Sequence, residues 1–107
     1  MNYNVHLILD SENDLFQIYK YVATNDSVDK AEKLLSELEE RCHSLKTFPD
    51  RGHVLPELER IGIKTYKEIH FKHYRIIYSI STKDVFIHGV LDGRRDLMSL
   101  LEERLLR

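Results

Sequence analysis

The sequence predicts an α+β domain with the element order β-α-α-β-β-β-α. Apolar residues recur at helical spacing through residues 11–45, and after residue 65 the apolar period changes to two, the period of a strand. From residue 97 onward a leucine-rich segment returns to helical spacing. We therefore expect an N-terminal helical hairpin packed on one face of a twisted antiparallel sheet, followed by a C-terminal helix.

The first strand and the first helix are predicted from residues 3–23. The segment YNVHLI (3–8) is typical of a short strand. Ser11 is expected to cap the helix, with Glu12 and Asp14 in the first turn, where the helix dipole favours negative charge. The apolar stripe of this helix is Leu15, Ile18, Tyr19, Val22 and Ala23.

The second helix has a more regular apolar stripe, and Ser27 is expected to cap it. The stripe consists of Val28, Ala31, Leu35, Leu38, Cys42 and Leu45. Two amphipathic helices joined by a few polar residues form an αα-hairpin, which can cover one face of a sheet. Cys42 is interpreted as a small apolar core residue rather than a reactive thiol.

The second half of the chain is predicted to form an antiparallel meander. FPDRGHVLPEL (48–58) contains both prolines, so an ordered loop without regular elements is expected there. TYKEIHF (65–71), YRIIYSI (74–80) and VFIHGVL (85–91) are then predicted as strands, with turns at 72–73 and 81–84. DGRRD (92–96) ends the sheet before the C-terminal helix.

Length and composition bound the class of protein. A chain of 107 residues fits a single domain spanning 1–107, and 42% hydrophobic with 32% charged residues suits a water-soluble globular chain. The N-terminus lacks the pattern of a signal peptide, so a cytoplasmic location is expected. One cysteine excludes an internal disulfide framework.

Charge is distributed unevenly along the chain. Residues 1–61 contain seven Lys/Arg and twelve Asp/Glu, whereas residues 62–107 contain nine and six. An anionic partner is therefore expected to meet the second half.

Arg75 is a cation within an otherwise apolar strand. Because side chains alternate, Tyr74, Ile76, Tyr78 and Ile80 should pack beneath the helical hairpin, and Arg75 should stand on the opposite, open face. A basic patch that binds phosphate or carboxylate would then be formed by Lys64, Lys67, Lys72, Arg75, Arg94 and Arg95. The alternative is structural: Arg75 pairs with an acid such as Glu68, and Asp96 caps the last helix.

Few residues of the sequence support a metal site, a cofactor site or acid–base catalysis. The six histidines show no HxxxH or HExxH spacing, so neither a metal site nor a cofactor is expected. His88 could act as an acid or base, although a solvated or core histidine is the simpler interpretation.

Three segments together resemble a known family. FPDRG (48–52), YKEIHFKHYRIIYSI (66–80) and VFIHGVLDGRRD (85–96) are similar, in order and separation, to the RelE/ParE superfamily of type II toxin–antitoxin toxins. The resemblance spans nearly the whole chain. It implies the RelE/ParE toxin fold, a cognate antitoxin whose flexible tail wraps the toxin, and an operon whose operator DNA the toxin contacts only through the antitoxin, in a hetero-oligomeric complex.

The resemblance implies different activities for the two branches. In a RelE-like ribosome-dependent mRNA endoribonuclease, Arg75 would hold the scissile phosphate, Arg94 or Arg95 would stabilise its developing charge, and Lys64 or Lys67 would assist. Such toxins typically carry a tyrosine or histidine near the C-terminus, where this chain has leucines, and His88 would have to substitute.

A ParE-like toxin instead inhibits DNA gyrase, and so replication and growth, without being an enzyme. The leucine-rich last helix after GRRD favours this branch. A third alternative is a degenerate toxin that acts only as an antitoxin-binding regulatory module.

Overall fold

The computed structural model describes residues 2–106 of the chain. The strands are β1 (Asn4–Leu7), β2 (His53–Val54), β3 (Tyr66–Phe71), β4 (Tyr74–Ser81) and β5 (Asp84–Asp92). The helices are α1 (Leu9–Asn25), α2 (Val28–His43), α3 (Pro56–Glu59) and α4 (Met98–Leu105), with short 3₁₀ turns at Ser44–Lys46 and Pro49–Arg51. In the described part of the chain, no helix has the length and apolar character needed to span a bilayer.

The five strands form one sheet in the order β1-β5-β4-β3-β2. The predicted meander of β3, β4 and β5 is antiparallel, and the α+β fold class is confirmed. β1 runs parallel to β5, so the sheet is mixed. This parallel pairing needs a long connection between the two strands, and the helical hairpin provides part of it.

The starts of the two long helices differ in their chemistry. Ser27 caps α2 as predicted, since its side chain accepts a hydrogen bond from the Lys30 backbone N–H at 3.1 Å. The prediction that Ser11 caps α1 is wrong, because α1 already begins at Leu9, immediately after β1. Ser11 lies inside the first turn, where its buried hydroxyl donates to the Ile8 carbonyl at 2.8 Å.

The proline-containing loop is more regular than predicted. His53–Val54 forms a two-residue strand on β3, and Pro56 occupies the first turn of the one-turn helix α3. The loop is anchored to β4 by Tyr78, whose buried hydroxyl donates to the Pro49 carbonyl at 2.5 Å and accepts from the Gly52 N–H at 3.1 Å. A Cβ on Gly52 would lie 2.6 Å from the Glu68 carbonyl oxygen, so glycine is needed there. The FPDRG and YRIIY segments are therefore one packing unit.

The helical hairpin covers one face of the sheet, as predicted. Tyr74, Ile76 and Tyr78 of β4 are buried in this core. The strand β5 contributes Val85, Ile87 and Val90, and the helical side contributes Leu15, Leu34, Leu38, Cys42 and Leu45.

The expectation that the opposite face is open is wrong. A second apolar cluster covers it, formed by Leu55, Leu58, Ile77, Leu91, Leu97 and Leu101. Ile77 and Leu91 belong to the sheet, and α3, α4 and their flanking residues supply the rest. Leu101 of α4 is buried in this cluster, and Leu100 and Leu105 of the same helix are partly buried against it.

Candidate functional site

Arg75 lies on the second face of the sheet, but it is not a free cation. Its Nε donates to Glu68 Oε1 at 2.6 Å and its Nη2 to Glu68 Oε2 at 3.1 Å. Its Nη1 and Nη2 also donate to the two carboxylate oxygens of Glu57, at 2.6 and 2.8 Å. Only 11% of the Arg75 side chain is exposed. The predicted pairing with Glu68 is confirmed, and Glu57 is a second partner that the sequence did not reveal.

Three elements build this cluster around the guanidinium. β4 carries Arg75, β3 carries Glu68 two pairs along the ladder and on the same face, and α3 carries Glu57 above the sheet. Gly93 packs on the arginine stem, where a Cβ would lie 2.9 Å from Arg75 Cγ. The stem is thereby held between the sheet and the chain that leaves β5.

The electrostatics of the cluster favour its charged form. Hydrogen bonding to Glu57 raises the pKa of the Arg75 guanidinium above its ordinary value, and Glu68 adds to this effect. The hydrogen bonds from Arg75 lower the pKa of the Glu57 carboxyl. Two carboxylates surround one cation, so the cluster carries one excess negative charge.

The predicted basic patch forms only in part. Lys72, Arg75 and Arg94 line one shallow cavity of about 200 Å³, together with His70 and His73. Each of the three cations also faces an acid. Lys72 Nζ is 3.7 Å from Glu37.

Arg94 and Arg95 lie just beyond the last strand and are both exposed. Arg94 makes a bidentate pair with Asp92, with its Nη2 2.8 Å from Oδ2. Both arginines line a second groove of about 450 Å³ beside α1.

The remaining two lysines do not join Arg75. Lys64 is exposed on the segment before β3. Lys67 pairs directly with Tyr78 across the ladder, so its side chain starts on the face covered by the helical hairpin. The expectation that Lys67 converges with Arg75 is therefore wrong, because the strand alternation places them on opposite faces.

His88 is separated from the Arg75 cavity. Its Nε2 lies 2.7 Å from the Ser79 hydroxyl, and the Tyr66 ring meets it edge-on at 5.2 Å between centroids. Burial lowers the pKa of His88 below its ordinary value. The candidate trio of the RelE-like alternative, Arg75, Arg94 and His88, is thus divided, since His88 lines a different cavity from the two arginines.

Comparison with known proteins identifies the family. Residues 9–97 match the model of the ParE toxin of the type II toxin–antitoxin system parDE. The chain belongs to the ParE toxin family. Toxin ParE3 of Caulobacter vibrioides is 31% identical over 91 residues, which cover 85% of this chain and 87% of that protein.

A solved structure supports the ParE fold. The chromosomal ParDE toxin–antitoxin system from P. aeruginosa contains a chain that superposes with a TM-score of 0.70. The match covers 82% of this chain and 92% of that one at 14% identity, so it supports the fold alone.

This ParE family member also has an apolar groove on its helical hairpin. The groove has a volume of about 360 Å³ and is lined by Leu7, Glu12, Leu15, Phe16, Tyr19, Leu35 and Glu39. Phe16 is 54% exposed although it lines this groove. An exposed aromatic residue beside a groove is a common anchor point for a partner chain.

Proposed function

We propose that this ParE-type toxin acts by binding and inhibiting DNA gyrase, breaks no bond itself, and is neutralised by a cognate antitoxin. The observation that carries the proposal is the compensation of Arg75 by Glu57 and Glu68. An arginine that holds a scissile phosphate must offer its donors to the ligand, and here four hydrogen bonds to carboxylates already use them.

A phosphate approaching this cluster would meet one excess negative charge. The RelE-like alternative would also need an acid or base beside the phosphate, and His88 lines another cavity. The described residues of α4 and its end, Met98 to Leu106, include neither tyrosine nor histidine. These three features together favour a toxin that binds its target over one that cleaves RNA.

The proposal is tested with purified toxin, gyrase, ATP and supercoiled plasmid. We expect less supercoiling and an accumulation of gyrase-cleaved linear DNA after protein removal. The opposite outcome is a toeprinting assay in which mRNA is newly cut at the ribosomal A site while gyrase is unaffected. That result would contradict the proposal and support the endoribonuclease. Normal growth when the toxin is expressed alone would instead identify a degenerate, antitoxin-binding module.

The antitoxin is proposed to dock its tail on the groove between α1 and α2. Most residues that line this groove are apolar or aromatic, and the two charged ones, Glu12 and Glu39, are exposed. Residues 1–61, which include both helices, carry an excess of acids. The complementary segment is therefore an apolar stretch flanked by Lys or Arg.

Replacing Phe16 with alanine should weaken antitoxin binding. Truncating an aromatic anchor at an interface costs about 2 kcal/mol, which corresponds to a roughly 30-fold larger Kd. Ile61→Ala is the matched control, because Ile61 is also 54% exposed but lies after α3, outside the groove. Calorimetric titration with the antitoxin measures both variants. If the Phe16→Ala and Ile61→Ala proteins bind the antitoxin with equal affinity, the antitoxin does not dock on this groove.

The remaining partners follow from the same proposal. Because gyrase and the antitoxin act on chromosomal and plasmid DNA, we place the toxin in the cytoplasm. A net charge of −2 disfavours direct contact with DNA, so operator binding is assigned to the antitoxin within a toxin–antitoxin hetero-oligomer.

A further inference from the structure

Two histidines and a glutamate converge on the solvent side of the Arg75 cluster. His53 of β2 pairs directly with Glu68 of β3, and His70 lies two residues further along β3, so all three side chains share one face. The Nε2 atoms of His53 and His70 lie 3.6 and 2.9 Å from the Glu68 carboxylate. One ligand atom from each of the three residues lies within 4.8 Å of the others.

The charge of this cluster favours a bound cation. Glu68 is 1% exposed, and it shares the single charge of Arg75 with Glu57. A buried carboxylate whose charge is only partly compensated is costly, and a second cation would remove that cost. The histidine side chains, 62% and 54% exposed, stand between this carboxylate and solvent.

The type of ligand atom selects the kind of cation. Two imidazole nitrogens and one carboxylate oxygen form a donor set that zinc takes in proteins, with water completing the coordination. Magnesium and calcium prefer oxygen ligands throughout, so this set disfavours them. The Glu68 carboxylate is already oriented by Arg75, in the way that a hydrogen bond from a neighbouring residue orients a metal ligand.

We propose that His53, Glu68 and His70 bind one divalent transition-metal ion of the zinc type. The ion would join the two-residue strand β2 to β3. The helix α3, which follows β2, is already held to the sheet by the ion pair between Glu57 and Arg75. The metal ion and this ion pair would together fix the segment from residue 48 to residue 59. Binding that is specific for the folded chain raises its thermal stability.

The experiment uses the full chain without a polyhistidine tag and titrates it with ZnCl2 and with CoCl2. We expect one ion per chain by calorimetry, a visible Co²⁺ absorption band typical of nitrogen and oxygen ligands, and a higher Tm in the presence of Zn²⁺. His53→Ala and His70→Ala should each bind Zn²⁺ about tenfold more weakly or worse and lose the Tm increase.

His43→Ala is the matched control, since His43 is an exposed histidine at the end of α2. It should bind zinc like the unaltered protein. Because the two ligand histidines are exposed, their variants should fold, and circular dichroism checks this. The absence of saturable one-to-one binding overturns the proposal, and so does unchanged affinity in His53→Ala. Neither result depends on gyrase inhibition, which is measured separately.

Discussion

Arg75 shows how one residue can have two opposite interpretations until its neighbours are known. Its place in an apolar strand predicts a side chain on the face away from the helical hairpin, and that is where it lies. Its role depends on whether acids surround it. Glu68 is close in sequence, whereas Glu57 reaches it only because α3 folds over the sheet. The local pattern predicts the direction of Arg75, but only the folded chain decides that it is an ion-pair centre.

Replacing Arg75 with alanine should destabilise the fold. The change would leave the buried Glu68 carboxylate without its main cation, and breaking a buried ion pair on one side costs about 3 kcal/mol. Urea denaturation followed by circular dichroism measures the free energy of unfolding. The result would agree with the structural interpretation of Arg75, in which it pairs with Glu68, and not with an exposed cation on an open face.

Two further variants separate the charge effect from the loss of packing. Adding Glu68→Gln to Arg75→Ala removes the uncompensated charge and should restore part of the stability. Arg95→Ala changes an exposed arginine and should alter the free energy of unfolding by less than about 0.5 kcal/mol. An Arg75→Ala protein as stable as the Arg95→Ala protein would contradict the structural role.

At the scale of elements, an ion pair joins α1 to α4 across the edge of the sheet. β1 pairs only with the first half of β5, so the far end of β5 lacks a neighbouring strand on that side. Asp14 of α1 accepts a hydrogen bond there from the Val90 N–H at 3.0 Å. Arg104 of α4 binds the same carboxylate in bidentate fashion, at 2.6 and 2.7 Å. The pair thus connects the helices of the two opposite faces.

A double-mutant cycle on Asp14 and Arg104 should detect this connection. Both side chains are largely buried, so we expect a coupling energy of about 1–3 kcal/mol. The matched control is the pair of Lys30 and Asp26, 3.2 Å apart and exposed, whose coupling should be below about 0.5 kcal/mol. Equal coupling in the two cycles would show that α4 is held by its leucines alone.

The whole molecule should lose stability in acid in two stages. The pKa of His88 is lowered mainly by burial, so the unfolded chain takes up this proton first and stability declines as the pH falls below about 6.5. The pKa of Glu57 is lowered mainly by its hydrogen bonds from Arg75. Stability supplied by that pair is complete above pH 4.5 and is lost as the pH falls further, towards the pKa of the folded state.

Urea midpoints measured from about pH 8 to about pH 2 would record both stages. His88→Gln should flatten the first stage and leave the second in place, because Glu57 belongs to a different cluster. Stability that rises on acidification to pH 5 would contradict this assignment.

The order of the elements other than β2 and α3, and the identity of the first core, were determined by the sequence. Helical stripes and strand alternation are local patterns that each segment carries by itself, so Leu38, Ile76 and Tyr78 could be assigned to the core from spacing alone. The FPDRG and YRIIY segments also indicated the family. Their physical connection through the Tyr78 hydroxyl was not evident from either segment.

The tertiary structure alone decided what covers the second face and what surrounds Arg75. The spacing of histidines along the chain indicated no metal site, yet strand pairing brings His53 beside Glu68 across fifteen positions of sequence. Likewise, α3 and α4 close over a face that the sequence left open. The physical reason is the same in each case: contacts between residues far apart in the chain depend on strand register and helix docking, which no local period encodes.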